Sequence, residues 1–197
     1  MISMPRLLAA VVLAAALLAG CGEKGWHGKD VSAIWPPLAF ELTDENGEQV
    51  TQDVFAGRPV AIYFGFTNCP DICPATLARL TAAARSLPEP MRDELQMAFV
   101  SIDPGRDTPE RLADYTSAFS DRMLGLTGTQ KQLTSVTRRY RISYGYDEPR
   151  ADGSYDVSHS SSVLVFGPDL KARLMLLDSL TAAEMADDLQ RLLASMD

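Results

Sequence analysis

The chain has 197 residues, 46% of them apolar and 22% charged, which fits one well-cored globular domain with short extensions and excludes a disordered chain. Acidic residues outnumber basic ones 26 to 18, a balance that argues against a nucleic-acid partner or an electrostatic grip on anionic lipid.

The first element is an apolar run. After the single cation Arg6 come Leu7 to Gly20, then Cys21. A short cationic start, about a dozen apolar residues and small residues at a boundary describe an export signal. The run is shorter than the roughly 20 residues a spanning helix needs. Leu18-Ala19-Gly20-Cys21 resembles the lipobox of bacterial lipoproteins. That resemblance implies a lipoprotein signal peptide over 1–20 and a lipid on Cys21. The lipid would hold the chain at a cell-envelope membrane, with its domain facing the periplasm or another extracytoplasmic space. The alternative is an ordinary secretory signal or an uncleaved anchor, with Cys21 incidental. Cleavage would leave 17 basic against 26 acidic residues, so lipid and not charge would supply the membrane attachment.

Residues 21–37 follow as a lipidated tether. Gly22 to Pro37 shows no helical or strand period, and its prolines stiffen one end. Fully extended, the stretch reaches about 55 Å. His27 is read as part of this solvated tether. The domain itself is expected over 38–197. Apolar alternation around Asn46-Gly47 predicts a β-hairpin. Val60 to Phe66, Met97 to Ile102 and Ser162 to Phe166 are short, nearly unbroken apolar runs, as expected of strands buried on both faces of a mostly parallel sheet. Helix starts are marked by Thr108-Pro109 and by the capping-box pairs Thr129/Gln132 and Thr181/Glu184. The last helix carries Met185, Leu189, Leu192, Leu193 and Met196 on one face. Phe166 to Leu177 predicts a final hairpin turning at Gly167-Pro168-Asp169. The order implies an α/β sheet with helices on both faces, a thioredoxin-like fold with an N-terminal β-hairpin extension.

The chemistry concentrates in Phe64 to Leu77, where Cys69 and Cys73 stand four positions apart, each followed by a proline. They sit where the first buried strand hands over to a helix, the end of such sheets at which reactive groups collect. A helix opening near Cys69 would place both sulfurs one turn apart, with its unpaired N–H groups favouring thiolate. A structural disulfide closing three residues would constrain the unfolded chain little, which favours redox or metal chemistry. The second of the chain's 2 histidines, His159, precedes a buried strand of the same sheet. Two thiolates and an imidazole form a soft donor set suited to Cu(I), or to Cu(II) with one further weak donor. Structural zinc normally takes four donors.

Beyond the cysteine pair, the chain carries Ser101-Ile-Asp-Pro-Gly-Arg-Asp-Thr-Pro-Glu110, Gly125 to Thr129, and Val157-x-His159 followed by Gly167-Pro168-Asp169. From Leu38 onward these motifs resemble the Sco/SenC copper proteins of thioredoxin-like fold. The resemblance implies copper ligation by Cys69, Cys73 and His159, and delivery of the metal to the dinuclear site of cytochrome c oxidase subunit II. It implies a metal carrier and not a turnover enzyme. In some relatives the cysteines instead act as a redox-active pair that reduces the target's disulfide, so a thiol–disulfide oxidoreductase is the rival reading. One departure is Ser158, where the family commonly has an acidic residue. Asp103 and Asp107 are read as turn and cap chemistry, in preference to groups that orient the ligands.

Overall fold

The structure is a computed structural model that describes residues 25–196; the stretch expected to be an export signal, and Cys21, lie outside them. The strands are β1 (Lys29–Asp30), β2 (Glu41–Asp44), β3 (Gln49–Thr51), β4 (Val60–Gly65), β5 (Gln96–Ser101), β6 (Met123–Thr127), β7 (Tyr144–Tyr146), β8 (Val157–His159), β9 (Val163–Phe166) and β10 (Ala172–Leu176). The helices are α1 (Ile72–Ser86), α2 (Glu89–Glu94), α3 (Pro109–Ser117), α4 (Gln130–Arg139) and α5 (Ala182–Ala194).

Eight strands form one sheet in the order β1-β10-β9-β4-β5-β6-β2-β3, and β7 pairs with β8 in a separate ribbon. The three apolar runs are β4, β5 and β9. Every residue of β4 and β9 is buried, because alternate side chains face two different cores. Tyr63, Met97, Phe99, Val163 and Val165 pack with Leu77 and Leu80 of α1 and Leu189 and Leu193 of α5. Ile62, Phe64, Val100, Leu164 and Phe166 pack with Leu133 and Val136 of α4 and with Leu42 of the first hairpin. Each fully buried leucine contributes about 1.5–3 kcal/mol relative to exposure.

The sheet is less parallel than the sequence implied. Only β4–β5 and β5–β6 are parallel. Hairpin arms pair antiparallel by construction, so β2/β3 and β9/β10 make both flanks antiparallel, and β9 also runs antiparallel to β4. The Asn46-Gly47 hairpin is present, with Gly47 at a φ of +82° that suits glycine. Thr108, Thr129 and Thr181 each accept the N–H of the third helical residue, the last two in full capping boxes.

The tether reading does not hold from Gly25 on. β1 pairs with β10, Val31 is buried in a core, and the Tyr140 hydroxyl donates to the Pro37 carbonyl at 2.9 Å while accepting from Ala39 N–H at 2.8 Å. His27 rests on α5, its Nε2 3.0 Å from Asp187 Oδ2. Most of the stretch credited with free reach is thus fastened to the domain. Among the described residues, no helix is long and apolar enough to cross a membrane.

Candidate metal centre

The cysteine side grows out of the central strand. β4 ends at Gly65, and Cys69 N–H closes a turn onto the Phe66 carbonyl at 3.2 Å. Helix α1 begins at Ile72, with Asp71 as its N-cap, but the Asp71 side chain makes no capping bond. Sulfur takes that role: Cys73 N–H donates to Cys69 Sγ at 3.4 Å, satisfying one of the orphan donors of a helix start. The helix therefore opens later than the sequence reading placed it. Pro70 lies ahead of it, and Pro74 is its third residue, where a missing N–H costs nothing.

Cys73, the second residue of α1, is 0% exposed, and Cys69 is 9% exposed. The space for the inner sulfur is made by a missing side chain. A Cβ on Gly65 would lie 2.7 Å from Cys73 Sγ and 2.9 Å from the Phe99 ring. The Tyr63 hydroxyl donates to Cys73 Sγ at 3.8 Å. Burial pushes the Cys73 thiol up to about 12. This overturns the expectation that the helix start would keep both sulfurs ionised: loss of water around Cys73 outweighs the helix N-terminus, so in the metal-free protein its sulfur carries a proton.

His159, which precedes the buried strand β9 as the sequence indicates, is itself the last residue of a short strand, β8, opposite Tyr144 in the ribbon. Ser160 N–H donates to the Ser143 carbonyl at 2.8 Å and extends the pairing. The imidazole stands edge-on to Phe66 and Tyr63, with ring centroids 5.7 and 6.0 Å away. His159 Nδ1 lies 2.9 Å from the Ser160 carbonyl, which can only accept. The proton therefore sits on Nδ1 and the Nε2 lone pair is free for a ligand. Burial holds the imidazole below its ordinary pKa, so it is neutral at neutral pH. Ser158, the departure from the family pattern, is exposed and faces Gly145; no carboxylate there opposes the effect of burial.

The two sides meet. His159 Nε2 lies 3.2 Å from Cys73 Sγ, and the ligand atoms of Cys69, Cys73 and His159 all lie within 4.8 Å of one another. Metal–sulfur and metal–nitrogen bonds of roughly 2.3 and 2.0 Å would span about 4.3 Å end to end, so one ion can reach both. Cys69 and His159 line an open cleft with Phe66, Pro70, Ile72 and Val157, whereas Cys73 lies behind it. Among the described residues the other cluster of similar donors is His27, Asp187 and Asp188. There the Asp188 oxygens already accept from His27 N–H, Gly28 N–H and Arg191.

Two further carboxylates brace this arrangement, contrary to their reading as turn and cap groups. Asp107 is 1% exposed and accepts from Thr67 N–H (2.9 Å), the Thr67 hydroxyl (2.6 Å) and the Ser101 hydroxyl. It ties the cysteine loop to the end of β5; the cap of α3 is Thr108. Asp103 reaches toward the histidine ribbon, accepting from the Tyr155 hydroxyl at 2.7 Å. Gly65, Tyr63 and Phe66 were not singled out by sequence reasoning. Their signal is their place at the end of β4 and just after it, immediately before the cysteines.

The SCO1/SenC family model matches residues 37–194. The chain belongs to the SCO1/SenC family. The copper-bound structure of yeast Sco1 is similar at 31% identity and a TM-score of 0.74, over 81% of this chain and 90% of that one. Copper-bound ScoI of Bradyrhizobium japonicum is similar at 33% identity and a TM-score of 0.70, over 79% and 98%. The human mitochondrial SCO1 homolog is 38% identical over 131 residues, 66% of this chain and 44% of that protein. This Sco-family chain thus spans about half the length of the mitochondrial relatives it matches, and its thioredoxin-like fold is the fold of its solved neighbours.

Proposed function

We propose that this chain is a copper carrier that takes one ion on Cys69, Cys73 and His159 and passes it to a copper-accepting apoprotein. The observation that carries the reading is the convergence of two sulfurs and an imidazole lone pair within 4.8 Å. Copper is the cargo that fits: soft thiolates with one imidazole select Cu(I), and among the described residues the set has no fourth donor of the kind closed zinc sites use. The copper-bound relatives support the same choice. Loading displaces the Cys73 proton, since the thiolate is the ligand. Release follows the cleft. Cys69 and His159 line it, so an acceptor's ligands replace them first and the recessed Cys73 last.

By resemblance, the recipient is the dinuclear copper site of cytochrome c oxidase subunit II. We further propose that Cys21 is lipidated and that the domain works outside the cytoplasm, at a cell-envelope membrane. The rival is a thiol–disulfide oxidoreductase using Cys69 and Cys73 as its couple. Their proximity favours it, with Cys69, the sulfur that lines the cleft, as the one an exchange partner would meet.

Copper titration of the reduced protein separates the two. The carrier takes up one equivalent and holds it much more weakly in His159→Ala, on sulfur alone, whereas an oxidoreductase keeps its exchange activity in that variant. Reduced protein that takes up no stoichiometric copper would overturn the carrier reading.

A further inference from the structure

The three donors come from two segments that do not share a sheet. Cys69 lies on the β4–α1 connection and Cys73 in the first turn of α1, whereas His159 lies on the β7–β8 ribbon. Between them runs the short turn after β5, Asp103 to Asp107. Its last carboxylate holds the cysteine loop through Thr67. Its other side chains hold the ribbon. Arg106 Nε donates to Asp103 Oδ2, and Arg106 Nη1 donates to the Tyr155 carbonyl at 3.1 Å. The Tyr155 hydroxyl donates to Asp103 Oδ1 at 2.7 Å. Tyr155 is therefore gripped at its backbone and at its ring tip by one ion pair, whose carboxylate is 1% exposed.

The guanidinium also bridges the two segments directly. Its carbon sits 3.8 Å from the centroid of the Tyr155 ring and 5.8 Å from that of Phe66. Phe66 belongs to the cysteine loop and carries the His159 ring edge-on at 5.7 Å. A planar cation suits this place because it stacks on aromatic faces while its fork donates in the plane; lysine cannot do both.

We propose that Arg106 is a positioning residue that sets the distance between the imidazole and the sulfurs. It clamps Tyr155, four residues before His159, against Phe66, three residues before Cys69. This rests on the copper reading for its functional consequence, but its structural content does not need the metal.

The test uses Arg106→Gln and Tyr155→Phe in the full domain, with two readouts. In the metal-free protein, proton cross-relaxation between the Phe66 and His159 rings reports their contact without copper. With copper, Cu(I) affinity by ligand competition and the Cu(II) spin-resonance and charge-transfer spectra report the donor set. Arg106→Gln is expected to lose the ring contact and to bind Cu(I) about 10- to 100-fold more weakly, the range for groups that orient a ligand. Its Cu(II) spectrum should move toward that of His159→Ala while keeping sulfur charge transfer. Tyr155→Phe, which loses only the bond to Asp103, should shift both readouts less, in the same direction. Retention of the ring contact in both variants overturns the proposal. If Arg106→Gln does not fold, a wild-type Tyr155→Phe overturns it alone. Failure of wild-type protein to take up copper would refute the carrier reading, and the ring contact would still decide the role of Arg106.

Discussion

Cys73 leaves the central strand on a helix packed into the core, whereas His159 rides on a two-stranded ribbon beside the main sheet. The sulfur is fully buried, set into the space beside Gly65 with the Tyr63 hydroxyl donating to it. The imidazole is held by a carbonyl, two ring edges and a polar brace. Packing resists displacement in all directions, while a few directional bonds can be given up one at a time. On the copper reading, the cysteine side would fix where the metal sits and the histidine side would close the site.

The largest expected effect tests that asymmetry. Cys73→Ser should lower Cu(I) affinity by well over the 10- to 100-fold typical of losing a group that only orients a ligand, and by more than His159→Ala does. Competition against a soluble Cu(I) chelator measures both. An equal loss from the two variants would erase the distinction between a fixed and a removable side.

Next comes Gly65→Ala. The added methyl would sit 2.7 Å from Cys73 Sγ, and overpacking of this kind costs about 1–3 kcal/mol. Urea unfolding should show that loss, accompanied by weaker copper binding as the sulfur is pushed aside. Unchanged stability together with unchanged affinity would show that the sulfur is not confined as described.

The pH dependence is gentler and has a definite sign. Burial raises Cys73 from 9.0 to about 12, so between those values the folded chain keeps a proton that the unfolded chain has released. Stability of the metal-free protein should therefore fall as pH rises from about 9 to about 12. Buried Tyr63 and half-buried Tyr115 shift in the same direction and add to the fall at the upper end. Copper affinity should rise about tenfold per pH unit below that range on account of the Cys73 proton alone. Thermal unfolding and affinity measured across pH check the two slopes; Cys73→Ser should flatten the second.

The smallest effect is expected far from the centre. His27→Ala removes a half-exposed contact with Asp187, worth about 1 kcal/mol or less, and should leave copper binding untouched.

The contrast between the two sides also explains what the sequence made legible. β4, β5 and β9 announce themselves because burial on both faces forces continuous apolar runs, and the hairpin and three helix starts because Gly47, Thr108, Thr129 and Thr181 answer local backbone needs. The cysteine pair belongs to that local class, which is why its place at the strand–helix junction was readable. The ribbon was not. Tyr144 to Tyr146 and Val157 to His159 are three-residue strands of mixed exposure, too short for a period to show. The packing of Trp26 to Val31 onto β10 and α5, and the reach of Arg106 to Tyr155 across 49 positions, join distant segments without a local signature. Asp103 and Asp107 mislead for the same reason: their turn is visible in sequence, and their partners are not.

The central claim is that a single ion is shared by the recessed sulfur, its neighbour Cys69 and the imidazole of the ribbon. Copper K-edge absorption on the loaded, reduced protein tests it most directly. The account predicts scattering from two sulfurs and one imidazole nitrogen around each copper, with the nitrogen lost in His159→Ala and both sulfurs retained. A copper shell with no imidazole contribution in the wild-type protein would contradict it.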